Sequence, residues 1–230
     1  KISKKVDEYV LKNVDSANYY GKKLLEMAEA SNSKELKADA LFSLSKIKLY
    51  ESKLDEALNH NQESFSINSN LKNNKKLSLN YLRFGDIYNF KGDFVNATKY
   101  YLKCLEAAEK EKNFSLQQKV YRKLSIINVS QNKFKQALNN GKKAVEIAKK
   151  TTDDGTNQAE NFFNLGTCYK YLKQLDSAEV NFTKAYQFFE KNNQSFKMAD
   201  VLCEMAAIYN ETDLIKSIEI SLKAQKIFDD

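Results

Sequence analysis

The sequence predicts an all-α protein assembled from antiparallel helix pairs, and three observations carry that prediction. Proline is absent and only 6 glycines occur in 230 residues, and no run alternates apolar with polar residues, so helix has little competition. The stretch Tyr81–Leu105 reads as two amphipathic helices folded back on each other. Tyr81, Phe84, Gly85 and Tyr88 share one helical face, Lys91-Gly92-Asp93 breaks the pattern, and Ala97, Tyr101, Cys104 and Leu105 restart it. The third observation is that this unit recurs along the chain.

The recurrence has a period near forty. Leu41, Tyr81, Tyr121, Phe162 and Leu202 hold one register; Ser45, Gly85, Ser125, Gly166 and Ala206 hold a second. A third runs Ala17, Ala57, Ala97, Ala137 and Ala178, with Ile218 taking the place at the end. Small residues at the second and third registers suit the point where two helix axes come closest, because a larger side chain would push them apart. The chain 1–230 is therefore expected to form a single array of units 1–32, 33–72, 73–112, 113–153, 154–192 and 193–230.

In order, the first unit has a truncated first helix, near Ile2–Leu11, and an intact second one near Val14–Ala30. Each later unit should pair two helices of some sixteen residues, about 24 Å long. Short turns at Lys91-Gly92-Asp93, Gln131-Asn132-Lys133 and Glu211-Thr212-Asp213 carry residues that cap or bend readily. Longer polar joints, Asn68–Asn74 and Thr151–Asn157, are expected between units. Residue 1 is Lys with no signal segment after it, so the chain reads as a processed or excised piece, with any leader or anchor outside it.

An aromatic, an apolar-small pair, a Tyr, then Ala, an aromatic and another small residue at these offsets resemble the tetratricopeptide repeat. The departure is length: the common repeat has 34 residues and a late Pro, whereas forty residues without Pro imply that both helices are extended. That form resembles the longer repeats of bacterial peptide-sensing regulators and of some polarity scaffolds. The resemblance implies a right-handed superhelical solenoid whose first helices line a concave surface. Helical hairpins of this kind leave an apolar stripe that only stacking can bury.

Composition narrows the function. A formal net charge of +7 raises the alternative of nucleic-acid binding, but the lysines come as scattered pairs such as Lys22-Lys23 and Lys142-Lys143 among Glu and Asp, the pattern of a solvated face. Lys- and Asn-richness reads as the codon bias of an AT-rich genome. No apolar run is long enough to span a membrane. Cys104, Cys168 and Cys203 are an odd number without CxxC spacing and sit at or beside core positions, so buried free thiols are expected, which favours a cytoplasmic setting; the other setting considered is a periplasmic sensor domain. The single histidine, His60, lies on an ordinary helix surface. No phosphate loop, HExxH, EF-hand loop or zinc cluster occurs, and Asp153-Asp154-Gly155 reads as a plain turn. No cofactor, no metal and no enzymatic activity are expected.

What remains is the groove that the resemblance implies. Its inner positions are Phe42, Lys46 and Tyr50; Leu82, Asp86 and Phe90; Arg122, Ile126 and Ser130; Phe163, Thr167 and Tyr171; and Cys203, Ala207 and Glu211. Large apolar residues not needed for the repeat are candidate peptide anchors. The family's carboxylate clamp needs bases where Phe42 and Leu82 stand, leaving Lys119, Arg122 and Lys123 with Asn164 as a partial basic cluster. The expected partner is a protein or peptide with apolar anchors and one acid; self-association through terminal repeats is compatible with it. The chain is read as the sensory or scaffolding part of a larger bacterial signalling protein.

Overall fold

The computed structural model describes residues 2–10, 12–151, 155–210 and 212–229. Among them are twelve α-helices and no strand. They fall into two compact bodies, Lys1–Glu111 and Lys112–Asp230. The N-terminal body holds α1 (Ile2–Tyr9), α2 (Val14–Ala30), α3 (Lys34–Tyr50), α4 (Leu54–Asn70), α5 (Asn74–Phe90) and α6 (Phe94–Lys110). The C-terminal body holds α7 (Phe114–Ser130), α8 (Phe134–Ala148), α9 (Thr156–Tyr171), α10 (Leu175–Lys191), α11 (Ser195–Tyr209) and α12 (Leu214–Asp229). In the first body α1, α3 and α5 touch in series and form one layer; in the second, α7, α9 and α11 do the same.

The turns explain the period. Asn32, Ser52, Lys72, Gly92, Lys112 and Asn132 all have positive φ and lie twenty residues apart, followed by Lys173 and Asn193. Lys53, Asn73, Asp93, Lys133, Gln174 and Gln194 each donate their backbone N–H to the carbonyl five residues back. That is the Schellman end, which closes the last turn and needs one left-handed residue. The next helix then starts on a capping side chain: Ser33 accepts from Leu36 N–H, Asn73 from Lys76 N–H and Asp93 from Asn96 N–H. The Asn68–Asn74 joint is thus no longer than the turns inside a repeat, because α4 continues to Asn70. The expected long joint there is corrected. The Thr151–Asn157 joint and the Asp153-Asp154-Gly155 turn lie partly outside the described residues, as do Leu11 and Glu211.

Packing between paired helices follows a compensation at sixteen-residue spacing. Ala17, Ala57, Ala97, Ala137 and Ala178 are all fully buried. Opposite Ala57, Ala97, Ala137 and Ala178 the small first-helix residue is either Ser or Gly. Ser45 and Ser125 donate their hydroxyls to the carbonyls of Ala57 and Ala137 at 2.7 and 2.8 Å. Their partners sixteen residues on are the modest Asn61 and Gly141. At Gly85 and Gly166 the partner is a ring, Tyr101 or Phe182, packed so close that a Cβ on the glycine would stand 2.4 or 2.7 Å from ring carbons. The volume missing from one helix is supplied by the other, as close packing requires.

Two expectations about the last repeat are corrected. Ile218 is half exposed, and the buried place belongs to Ser217, whose hydroxyl donates to the Ala206 carbonyl at 3.0 Å. The register there is one residue shorter than the sequence spacing implies. Cys104 and Cys168 are buried thiols, but Cys203 is exposed.

Several polar residues enter the core as hydrogen-bonded networks. In the first body Asn61 and Asn80 exchange two hydrogen bonds, 3.0 Å from Asn61 Nδ2 to the Asn80 carbonyl and 2.9 Å from Asn80 Nδ2 to Asn61 Oδ1. Asn68 adds a third at 2.9 Å to Asn80 Oδ1. Such a network ties α4 to α5, and breaking it leaves buried groups unsatisfied.

Candidate functional site

The first-helix layer of the C-terminal body contains a cavity of about 250 Å3. Its walls come from three helices. From α7 come Arg122, Ile126, Val129 and Ser130; from α9 Glu160, Phe163, Asn164 and Thr167; from α11 Lys197 and Asp200; Phe189 of α10 contributes as well. Ile126 is partly exposed at the rim, while Phe163 packs against the buried Phe182 ring with centroids 5.7 Å apart. The cavity is therefore apolar at its base and charged along one edge.

That edge is self-neutralising. Arg122, nearly buried, donates from Nη1 to the Asn157 carbonyl and to Asn161 Oδ1, both at 3.3 Å, and its Nη2 stands 3.6 Å from Glu160. Asn161 is fixed in turn by Gln118, whose Oε1 accepts at 2.7 Å. Glu160 also pairs with Lys197. Burial works against its charged form, but Arg122 and Lys197 outweigh that and hold the carboxyl below the usual carboxylate range. Asn164 is buried, and its Oδ1 has no hydrogen-bond partner. Thr167 spends its hydroxyl on the Phe163 carbonyl at 3.1 Å.

Of the sequence-derived candidates, Arg122, Ile126, Phe163, Asn164 and Thr167 are brought together around this cavity. Tyr171 is not among its walls; it stacks on Phe134 with centroids 5.0 Å apart. Lys119 is half buried on α7 outside the cavity wall. The remaining candidates belong to the N-terminal body. Lys46 pairs with Asp7 at 2.5 Å, Asp86 accepts the Tyr101 hydroxyl at 2.7 Å, Leu82 is half buried, and Tyr50 and Phe90 are exposed. Phe42 lies under the Arg83 guanidinium, 4.9 Å from ring centre to Cζ.

Sequence reasoning missed Glu160, Lys197, Asp200 and Arg83. Glu160 and Asp200 stand three residues before Phe163 and Cys203, one helical turn towards the N-terminus. Extending the inner stripe by that turn finds them. Arg83 is the neighbour of Leu82, on the adjoining edge of the same face.

No curated protein sequence matches this chain at a significant level. Solved structures do. A structure of BtubC from P. vanneervenii superposes with a TM-score of 0.76 at 16% identity, covering 96% of this chain and 91% of that one. A Rap protein complexed with competence and sporulation factor gives 0.77 at 15% identity, covering 93% of this chain and 60% of that one. NprR in complex with its cognate peptide NprX gives 0.68 at 13% identity, covering 99% and 64%. At such identities the likeness is one of fold. Residues 80–111 and 121–191 match models of the tetratricopeptide repeat, over the same helix pairs whose Gly85–Tyr101 and Gly166–Phe182 contacts set the packing; these two segments are tetratricopeptide repeats, set in a chain whose helix pairs recur with a period near forty.

Proposed function

We propose that the chain is a non-catalytic, peptide-binding module, the sensory or scaffolding part of a larger bacterial signalling protein, and that the cavity of the C-terminal body seats an apolar side chain of the ligand. The observation that carries this reading is the cavity itself. Apolar walls from Ile126, Val129, Phe163 and Phe189 meet an edge on which Arg122, Glu160 and Lys197 are paired, with the Asp200 carboxylate beside them. Such a cavity offers most to an apolar group flanked by backbone amides, which the Asp200 carboxylate can accept from. Two of the similar structures hold a peptide or a signalling factor by their own descriptions, which is consistent with this use of the fold.

The test is selection from a random peptide display library, followed by titration calorimetry of the enriched peptides. Ile126→Arg places a charge at the rim of the cavity without touching the core, and should weaken the selected peptides at least tenfold with unchanged helical circular dichroism. Arg122 is unsuitable for this purpose, because its replacement would strand Glu160 and Asn161. Selected peptides that bind the Ile126→Arg variant as tightly as the parent chain would remove the cavity from the function.

A further inference from the structure

The formal net charge of +7 is not spread evenly along the chain. Residues 113–150, the α7–α8 hairpin, hold nine lysines and arginines against one acid, Glu146. That net of +8 exceeds the charge of the whole chain, so everything outside the hairpin sums to −1. Lysine is common throughout; what sets this hairpin apart is the loss of the acids that accompany it elsewhere.

Helix α8 and its two ends carry most of the excess. Its core side is Ala137, Gly141, Ala144 and Ala148, all buried. Lys133, Lys135, Lys142, Lys143, Lys149 and Lys150 are all exposed. Lys135, Lys142 and Lys149 recur every seven residues, as do Lys143 and Lys150, which makes two neighbouring rows with steps of about 10 Å and a length of about 21 Å. Lysines in other helices are matched, Lys46 with Asp7, Lys76 with Asp39, Lys91 with Asp55 and Lys110 with Glu106. None of the six at α8 is in an ion pair among the described residues. Three are laid over rings instead: Lys142 stands 5.9 Å from the centre of Tyr169, Lys143 5.4 Å from Tyr121 and Lys150 5.6 Å from Phe114. Such contacts hold a long side chain in place before any ligand arrives.

Unpaired like charges on one helix repel one another, and a polyanion relieves that. Three features choose among polyanions. Lysine is depleted where proteins meet proteins, whereas surfaces that meet nucleic acid are strongly positive; α8 also exposes no large apolar residue to anchor a protein. An anionic membrane is gripped by a helix that buries an apolar face in it, and that face of α8 is already in the core. The rings beside the lysines are partly buried, so none is offered to unstacked bases. We propose that the outer face of α8 binds the phosphate backbone of a double-stranded nucleic acid, independently of sequence. A ridge of about 21 Å spans a length of duplex carrying roughly twelve phosphates, of which the six lysines meet those on one side. Ammonium groups are point charges, suited to neutralising phosphates and not to reading bases. The cavity takes no residue from α8, so this surface does not rest on the reading given for it.

Fluorescence anisotropy of a labelled 20-base-pair DNA duplex titrated with the full chain tests the proposal. With four or five phosphates neutralised, affinity should fall roughly 150- to 500-fold between 50 and 200 mM salt. Two duplexes of unrelated sequence should differ by less than about threefold. Lys135→Gln, Lys142→Gln and Lys149→Gln together should weaken the duplex at least thirtyfold at 50 mM salt, with unchanged helical circular dichroism. Lys22→Gln, Lys34→Gln and Lys37→Gln together remove the same charge from exposed positions of the N-terminal body, and should cost less than about threefold. Equal affinity at both salt concentrations, or an α8 triple variant no weaker than this control, would overturn the proposal. So would single-stranded DNA held more tightly than the duplex, or poly-glutamate or phosphatidylserine vesicles held as tightly at equal charge concentration.

Discussion

Replacing Gly85 with Ala should destabilise the protein, against the ordinary preference of helices for alanine. In a helix interior the exchange by itself is worth about 1 kcal/mol in favour of Ala. Here the added Cβ would stand 2.4 Å from both Cδ1 and Cε1 of Tyr101, whereas carbons rest about 3.5–4.0 Å apart. The ring would have to retreat by more than 1 Å. It cannot do so freely, because Tyr101 is fully buried and its hydroxyl is bound to Asp86 at 2.7 Å. Overpacking of this kind costs about 1–3 kcal/mol, and loosening a hydrogen bond to a charged group about 1.5–3 kcal/mol. Set against the gain in propensity, the net loss is about 1.5–5 kcal/mol. For a chain of this size that lowers Tm by roughly 3–20 °C. Gly141→Ala is the control: its Cβ would meet the flexible end of Leu165 at 3.3 Å, so Tm should hold or rise. Thermal unfolding followed by circular dichroism measures both. Tyr101→Leu in the Gly85→Ala background should recover part of the loss, a coupling read from the double-mutant cycle. If Gly85→Ala melts as high as Gly141→Ala, the sixteen-residue compensation is not what sets the helix spacing.

Other perturbations follow from the same packing. Lys72 and Lys173 hold left-handed backbone, so Lys72→Gly and Lys173→Gly should each stabilise by about 0.5–1 kcal/mol after the extra freedom of glycine in the unfolded chain is subtracted; a lower denaturant midpoint for either would contradict the Schellman reading. Asn80→Ala should cost about 2–3 kcal/mol by stranding Asn61 and Asn68, measured by urea unfolding with Asn59→Ala, at an exposed position of α4, as a surface reference. Glu51 is held down to about 2 by Lys48 first and then by Asn18. Its contribution, about 1 kcal/mol after solvent screening, is complete above the ordinary value of 4.5 and lost as pH falls towards 2. Glu51→Gln should therefore flatten the acid limb of stability between those limits and leave the slope above pH 5 alone.

The fold was legible because its determinants are local. Ala17, Ala57, Ala97, Ala137 and Ala178 can be read at their spacing without knowing what they touch, and all are buried. The failures came where a one-residue change of register is invisible in composition: Ile218 fits the forty-residue count, yet Ser217 is the residue under Ala206. The joint at Asn68–Asn74 looked long because it is polar, and polarity says nothing about whether buried Asn68 still belongs to a helix that bonds to Asn80. Half of the cavity was legible, namely Arg122, Ile126, Phe163, Asn164 and Thr167, since these fall at inner positions of first helices. The acid and the lysine that pair along its edge were not, because Glu160 and Lys197 act through contacts between helices far apart in sequence.

The division of labour between interior and inner face follows from the repeat. Positions at the crossing are bound in pairs: a glycine demands a ring sixteen residues on, and a serine accepts something smaller. Changing one member alone opens a cavity or forces a clash, so these positions fix the hairpin and carry no information about a ligand. The inner face is less constrained by such pairs. There Phe42 lies under Arg83 in one body, while Phe163 and Arg122 line one cavity in the other, and the chemistry diverges. Glu160 neutralises Arg122 beside an apolar cavity, while Asp86 accepts the Tyr101 hydroxyl and Arg83 lies over Phe42. The tyrosine that fills the space beside Gly85 thus also holds Asp86 by its hydroxyl. Tyr101→Phe separates the two roles: it keeps the ring against Gly85 and removes the hydroxyl. Asp86 would then turn towards Arg83, and in the chain labelled with 15N-arginine the Arg83 Nε–H signal should move to that of a paired guanidinium with Tm lowered by only a few degrees. An unmoved signal would show that the hydroxyl does not hold Asp86 away.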